Sequence, residues 1–370
     1  GAMGFTPASD SALHSAAGGS DRITLRATSV RRHDSHGALT GAFTFGAEQS
    51  LLRDATVPDE AFMDSMPRHP DWSASAGVLA QADLSLRETV HLTFGTRVQR
   101  LAAPRRETVV ALLPSAGVAV VRDIGVATAK APASFGKGIR SATPGMRLLA
   151  RGQWPFVSDE ALGTEEQSGT EVGVDLLLPA GALHLTRFDQ LARTTSTDGL
   201  LGSISNSGWE AGASVRTGRL TFGGTAAITD SRVLSTGDAY SGELQAGDRM
   251  LGVPKHTGSL SVDWEARRWS TSWTVTRAAS WINYDRLRLA SAPDSLVSGG
   301  ESAGSRRWLR DYWMEYPGSA RLRGSFVVQL PRGMALSVTG ENLTNQQLGE
   351  PDSITIVPGR AITLRLRAKF

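Results

Sequence analysis

The chain has 370 residues, including 40 Gly, nine Trp and no Cys, and its formal net charge is only +3. The absence of Cys excludes a disulfide framework and argues against a metal–thiolate site, and the small charge gives no indication of a nucleic-acid partner. No apolar run approaches the roughly 20 residues that a membrane-spanning helix needs.

Strand–turn–strand units repeat along the chain. The clearest pairs residues 76–86 with 89–101, where apolar and polar residues alternate and the link is only Arg87-Glu88. Links that carry Gly, Pro or charge are typical of hairpins. In chain order, the pattern predicts fifteen strands: 22–32, 37–47, 74–86, 89–101, 107–121, 125–137, 170–178, 182–193, 207–216, 219–230, 256–264, 269–281, 319–330, 333–343 and 360–370.

Long polar segments separate the hairpins. They are predicted as loops at 48–72, 139–168, 193–206, 230–255, 282–316 and 345–358. Six such loops would be unusual in a compact soluble domain. They are expected in an outer-membrane barrel, where short turns face the periplasm and long loops face the outside.

The last strand has two chemically different faces. Ile362, Leu364 and Leu366 fall on one face, whereas Arg365 and Arg367 fall on the other, because successive side chains in a strand point to opposite sides. One face suits lipid and the other an aqueous lumen. The alternative for this strand alone is the edge of a soluble sandwich. With the loop pattern, the sequence predicts an all-β, transmembrane, antiparallel up-and-down barrel with about 14–16 visible strands.

Five segments resemble the C-terminal portion of TonB-dependent outer-membrane receptors, in that family's order. They are FGKGIR (135–140), LGTEEQS followed by EVGVD (162–175), VPKH (253–256), GENLTNQ (340–346) and PGR (358–360) before the terminal Phe370. Together they cover residues from about 75 to 370. Because they are structural signatures, they indicate architecture and not a ligand, and Phe370 takes the role of the family's assembly signal.

The resemblance implies a 22-stranded barrel with an N-terminal plug and an energy-coupling box. Residues 1–72 resemble neither, so we expect a C-terminal piece or one half of a split receptor. Residues 1–20 are interpreted as a lead-in whose first three residues are an artificial or arbitrary start, and 21–370 as barrel. Either a second polypeptide supplies the plug and missing strands, or this chain closes alone with 14 or 16 strands, because open edges in lipid are costly.

The function implied by the resemblance is uptake of a scarce nutrient across the bacterial outer membrane. The candidates are a siderophore, cobalamin, an oligosaccharide or a peptide. The implied partners are outer-membrane lipid, lipopolysaccharide and, where a plug is present, the TonB system. No cofactor is expected. A structural outer-membrane component and a passive porin remain as alternatives.

The densest aromatic and cationic cluster is the segment RRWLRDYWMEY, residues 306–316. One interpretation is a ligand platform in an external loop, where arginines pair with anionic groups and aromatic rings stack on rings or sugars. The other is an interfacial girdle of the barrel. Weaker ligand candidates lie near Trp154. The candidate ligand residues are Arg306, Arg307, Trp308, Arg310, Tyr312, Trp313 and Trp154.

No constellation predicts catalysis, so we expect a binding and transport protein. His33 and His36 share a turn, and acidic pairs occur at 159–160 and 165–166. Clustered oxygen ligands suit Ca²⁺, but solvated turns and loops explain both sets, so no metal site is predicted. Trp209, Trp269, Trp273 and Trp281 are instead predicted to face lipid or to lie in the girdle, because they lie on strand faces.

Overall fold

The computed structural model describes residues 17–35, 38–57, 71–102, 108–140, 164–194, 201–237, 240, 242–291, 307–346 and 359–368. Its strands are β1 (Ala17–Ser35), β2 (Leu39–Val57), β3 (Asp71–Leu86), β4 (Val90–Ala102), β5 (Val109–Ile124), β6 (Ala127–Arg140), β7 (Glu165–Leu178), β8 (Gly181–Thr194), β9 (Leu201–Thr217), β10 (Leu220–Thr236), β11 (His256–Glu265), β12 (Trp269–Ala278), β13 (Trp281–Tyr284), β14 (Trp313–Tyr316), β15 (Ser319–Gln329), β16 (Met334–Glu341) and β17 (Ala361–Ala368). Two short helical segments, α1 (Arg286–Ala290) and a 3₁₀ turn (Arg307–Tyr312), lie between β13 and β14. Neither of these described helical segments is long and apolar enough to cross a bilayer.

Fifteen strands form one antiparallel meander in which each strand pairs with its neighbours in the chain. Only β13 and β14 stand apart, because they pair with each other inside the connection from β12 to β15. The predicted all-β, up-and-down architecture and its fifteen strands are confirmed. The short β13–β14 hairpin was not predicted, since four-residue strands show too little alternation to be recognised.

Several strands extend beyond their predicted ends at the long connections. β2 continues to Val57 and β10 to Thr236, and β9 already begins at Leu201. The predicted loops 48–72, 193–206 and 230–255 are therefore too long. The reason is physical: the backbone ladder continues where polar and apolar residues are mixed on both faces, as in LLRDATV (51–57), so the alternation that marks a strand disappears before the strand ends.

The register sorts side chains onto an apolar face and a polar face. On β16 and β17, Leu336 lies opposite Leu366 and Val338 opposite Leu364, whereas Arg365 lies opposite a serine on the other face. The apolar face is largely uncovered, and Leu364 is 69% exposed. Among the described residues, only five hydrophobic side chains are buried. No second sheet packs on this face within the described part of the chain, which is the opposite of a soluble sandwich.

The two ends of the sheet differ. Tight turns such as Gly125–Val126 and Gly218–Arg219 join strands at one end, and the longer connections lie at the other. Gly125 and Gly218 have φ values of 62° and 58°, which glycine adopts without a Cβ clash. The turn from β3 to β4 instead places Arg87 and Glu88 at φ values of 50° and 54°. Two successive positive φ values match the twist of a two-residue hairpin.

Two features interrupt the regularity of the sheet. The β9–β10 pairing shifts register between Val233 and Ser235 and again at Thr236, so β10 bends at its long-connection end. In addition, β1 pairs only with β2, and β17 only with β16, within the described residues. The two edge strands run in the same direction, because fourteen antiparallel steps separate them in the sheet order.

Candidate functional site

Two long connections pack against each other above the end of the sheet. We name the described residues of 240–255 (240 and 242–255), together with 279–291 and 307–318, the loop cluster. It contains Leu244, Tyr316 and Glu243, which are buried, and it covers Val233 at the end of β10, which is fully buried. Backbone bonds join the pieces: Gly252 N–H donates to Ile282 O at 2.8 Å, and Val233 N–H donates to Asp248 O at 2.9 Å.

Arg310 ties the two connections together. Its Nη1 and Nη2 donate to the two carboxylate oxygens of Asp248, with donor–acceptor distances of 2.6 and 2.8 Å. Nη1 also donates to Glu243 O at 3.2 Å. This bidentate geometry is the strong form of an arginine–carboxylate contact. Arg310 therefore already has an internal anionic partner, which a ligand anion would have to share or displace.

The pKa of the Asp248 carboxyl group is lowered in the folded chain. The hydrogen bonds from Arg310 lower the pKa of Asp248 below its usual value, burial works against this effect, and the backbone N–H of Gln245, 2.8 Å away, adds to the lowering. The carboxylate side chain is 16% exposed, whereas the Arg310 side chain is 38% exposed. The ion pair thus has one sheltered partner and one that is accessible from outside.

Aromatic rings surround this ion pair. The Arg310 guanidinium lies 4.5 Å from the Trp313 ring centroid, and Trp308 meets Tyr312 edge-on at 5.8 Å. Arg288 lies 5.5 Å from the Tyr312 ring. The indole Nε1 of Trp313 is buried and has no hydrogen-bond acceptor within the described structure. A buried donor without an acceptor is costly, so this N–H is an unsatisfied polar group within the described part of the loop cluster.

Further contacts within the loop cluster join the side chains that lie next to this ion pair. The Tyr284 hydroxyl donates to a carboxylate oxygen of Glu243, and the Tyr316 hydroxyl donates to Tyr284 O at 2.5 Å. Trp281 stacks on Tyr316 with ring centroids 5.8 Å apart and an interplanar angle of 7°. The prediction that Trp281 faces lipid on a strand is wrong, because β12 ends at Ala278 and Trp281 begins β13 inside the loop cluster.

The structure brings four of the predicted ligand residues together: Trp308, Arg310, Tyr312 and Trp313. For Arg307 only the backbone is described, and Arg306, Trp154 and Phe370 lie outside the described residues. Their assignment stays a prediction. Sequence reasoning missed Asp248, Glu243 and Tyr284, which lie far from the 306–316 segment in the chain. Asp248 sits in a polar stretch without periodicity, so no local signal marks it.

The polar face carries its own ion pairs. Glu48 accepts from Arg26 Nε at 2.7 Å and from Arg97 Nη2 at 3.5 Å, so three strands share one carboxylate. Farther along the face, Lys130 lies 3.7 Å from Asp175. This arrangement gives the sheet a charged interior surface and an apolar exterior surface.

The acidic pair 165–166 is also accounted for by ion pairs. Glu165 pairs with Arg140 and Glu166 with Lys137, the latter at 2.9 Å. The described residues contain no group of three or more potential metal ligands. His36 and the acidic pair 159–160 fall outside the described residues.

Trp209, Trp269 and Trp273 lie on the apolar face and are 46%, 40% and 46% exposed. Their placement agrees with the predicted lipid-facing or girdle position. Trp269 lies 5.8 Å from Phe326, and the Arg187 guanidinium lies 5.7 Å from the Trp209 ring. Amphipathic rings of this kind collect where a barrel meets lipid headgroups.

The meander, its faces and its two unlike ends define the class of outer-membrane β-barrels. Within that class, a family model described as "TonB dependent receptor-like, beta-barrel" matches residues 7–343. The chain belongs to this family, a family of the bacterial outer membrane, and the resemblance inferred from its motifs is confirmed. No curated protein matches the chain in sequence.

Solved structures share the fold at low sequence identity. They include the FrpB iron transporter from Neisseria meningitidis (TM-score 0.67, 16% identity, 95% of this chain and 55% of that one). The siderophore receptor PiuA from Acinetobacter baumannii follows (TM-score 0.66, 14% identity, 95% and 56%), as does the copper transporter OprC (TM-score 0.62, 14% identity, 94% and 56%). The chain thus spans about half the length of these structures, which are receptors and transporters.

Proposed function

We propose that this chain is the C-terminal wall of a TonB-dependent receptor that takes up a scarce nutrient across the outer membrane. The observation that carries the proposal is the fifteen-strand meander with an apolar exterior, matched by the family model over residues 7–343. The cargo class would be a siderophore, cobalamin, an oligosaccharide or a peptide. The names of the similar structures, which mention iron, a siderophore and copper, favour a metal chelate among these.

The two sheet edges support closure by further strands. β1 and β17 run in the same direction, so pairing them directly would require one parallel pair in an antiparallel barrel. An odd number of added strands restores alternation all the way round, and seven would complete the 22 strands implied by the resemblance. Open backbone edges cost several kcal/mol per unsatisfied group in lipid. We therefore favour completion by strands outside this chain over closure with 14 or 16 strands.

The loop cluster is our candidate for ligand capture. In the proposed orientation the short turns face the periplasm, so the cluster lies outside the cell, with the partly exposed rings of Trp308 and Tyr312 available to a ring-bearing cargo. Arg310 would hold Trp313 in place and offer its exposed edge to an anionic group. Arg306, Arg307 and Trp154 are proposed to add to the same surface.

Co-purification with a plug-bearing polypeptide tests the receptor assignment. We expect this chain, extracted in mild detergent, to carry a second polypeptide or an upstream segment with a plug, and the assembly to bind at least one of a ferric catecholate, a ferric hydroxamate or cobalamin. A chain that purifies alone and conducts ions in planar bilayers would be a porin. A chain embedded in a larger assembly that neither conducts nor binds cargo would be a structural component.

A paired substitution tests the capture site in that assembly. Trp308→Ala should weaken binding of the best probe by about tenfold, because one lost stacking contact is worth roughly 1 kcal/mol. Trp273→Ala on the apolar face is the matched control and should leave binding unchanged. Equal binding by both variants would remove the loop cluster from the capture site without affecting the family assignment.

A further inference from the structure

Four arginines gather at the short-turn end of the sheet. Arg216, Arg219, Arg267 and Arg268 line a groove of about 460 Å³ together with Glu265. They come from two neighbouring hairpins, β9–β10 and β11–β12. We name these four arginines the arginine rim.

The backbone at the rim is held in place. Glu265 N–H donates to Arg219 O at 3.0 Å, and Gln329 N–H donates to Arg268 O at 2.6 Å. Arg216 N–H donates to Ala180 O at 2.6 Å in the next turn. The arginine side chains therefore project from fixed positions, and a ligand that binds them meets a surface that is already ordered.

The charge of the rim is not balanced locally. All four arginines are exposed, and none forms an ion pair with a carboxylate in the described part of the chain. One carboxylate, that of Glu265, shares the groove with four guanidinium groups. Like charges held close together repel, so an added anion gains attraction and also removes repulsion. Guanidinium forks match carboxylates and phosphates in geometry.

Two other short turns lack this excess, although Arg31 and Arg32 lie beside a single acid, Asp34, near the β1–β2 turn, and Arg332 has no acidic neighbour in sequence in the β15–β16 turn. Arg87 is followed by Glu88 in the β3–β4 turn, and Arg122 is followed by Asp123 at the end of β5. At each of these turns one cation stands beside one anion. The arginine rim is therefore a denser cluster than these other turns carry, since it gathers four arginines in one groove.

Most strand residues that line the groove lie on the polar face, and Trp269 is the lining residue that lies on the apolar face. Arg216 lies opposite Thr221, and Ser270 lies opposite Val327, all on the side of the sheet that carries Arg365. The lipid-facing aromatics Trp264 and Phe326 point to the other side. A bilayer phospholipid would approach from the aromatic side. The orientation thus favours a partner that reaches the rim from the barrel interior or from the periplasm.

We propose that the arginine rim binds a carboxylate-rich peptide segment of a polypeptide seated against the polar face. The rim presents several guanidinium forks side by side, which suits an extended run of Asp or Glu better than a single small anion. This site goes beyond nutrient uptake, since it lies at the end of the sheet opposite the loop cluster and does not depend on the cargo.

A labelled hexaglutamate peptide is the probe. Fluorescence anisotropy with the 370-residue chain in neutral detergent should show binding that weakens as NaCl is raised, and hexaglutamine should not bind. The double variant Arg219→Gln/Arg268→Gln should weaken hexaglutamate binding by about tenfold or more. The double variant Arg87→Gln/Arg122→Gln removes the same charge from other short turns and should bind like the unmodified chain.

A variant that is expected to tighten binding distinguishes a lost binding site from misfolding. Glu265→Gln removes the competing carboxylate and should tighten hexaglutamate binding by about twofold to fivefold. Equal weakening by both arginine double variants, or no effect of Glu265→Gln, would overturn the proposal. Loss of peptide binding in nanodiscs that contain phosphatidylglycerol, but not in zwitterionic ones, would assign the rim to lipid phosphate instead.

Discussion

The sheet wall and the loop cluster are stabilised in different ways. In the wall, long backbone ladders hold the strands, and apolar side chains such as Leu260 (70% exposed) and Leu364 lie open on one face. In the loop cluster, side chains bind each other through the Arg310–Asp248 ion pair, the Tyr284–Glu243 hydrogen bond and stacked rings. The stability of the sheet wall therefore depends on the solvent that its apolar face meets. The loop cluster is instead stabilised by contacts among its own side chains.

The largest expected effect comes from a charge on the apolar face. Leu260→Arg should destabilise the barrel by about 2–4 kcal/mol in lipid, because a cation near the bilayer midplane loses its hydration. Ser261→Arg, one residue along on the polar face, should change stability little. Urea unfolding in lipid vesicles measures both. Equal costs would mean that the two faces meet the same solvent.

A smaller effect is expected in the loop cluster. Arg310→Ala should loosen residues 240–255 by about 1–2 kcal/mol while the sheet stays intact, since a bidentate charged contact is lost but one partner is partly exposed. Limited proteolysis and amide exchange of this connection measure the change. Glu341→Gln, which breaks the exposed Arg323–Glu341 pair of the sheet, serves as the control and should have no measurable effect on this connection.

Low pH should weaken the same Arg310–Asp248 ion pair. The pKa of Asp248 is lowered in the folded chain, so the stabilisation is present above the usual Asp pKa and is lost as pH falls through the lower folded value. Proteolysis of residues 240–255 should stay slow at pH 5 and accelerate only at pH values below the usual Asp range. Asp248→Asn should already be loosened at pH 7 and should lose this pH dependence.

The smallest expected effect is the difference in stability between alanine substitutions at two strand glycines. A Cβ at Gly324 would come within 2.6 Å of the Trp273 ring, whereas a Cβ at Gly136 would meet nothing within 4 Å. Gly324→Ala should therefore cost about 1 kcal/mol by displacing the ring, and Gly136→Ala should be neutral or slightly stabilising. The same vesicle unfolding assay compares them. A neutral Gly324→Ala would show that Trp273 does not pack on that backbone.

The wall could be predicted from the sequence and the loop cluster could not. Alternation reports which side of a strand meets lipid, so all fifteen strands were found, and several of their ends were missed where polar and apolar residues mix on both faces, as before Val57. The 306–316 segment was recognised by its composition. Its partners Asp248 and Tyr284 were not, because contacts between distant irregular segments leave no periodic pattern. Trp281 was misassigned because strand alternation was extended past Ala278.

Two register shifts lie where β10 leads into the loop cluster. Beyond Val233 the strand slips relative to β9, and the chain then folds back so that Arg232 bridges to Arg249 and Val233 bonds to Asp248. β10 has one extra residue between Val233 and Ser235, and β9 has one between Ser203 and Leu201, so the two shifts offset each other in register. Inserting or deleting one residue here would leave one of the two bulges uncompensated, and is expected to redirect the loop cluster without altering the sheet beneath it.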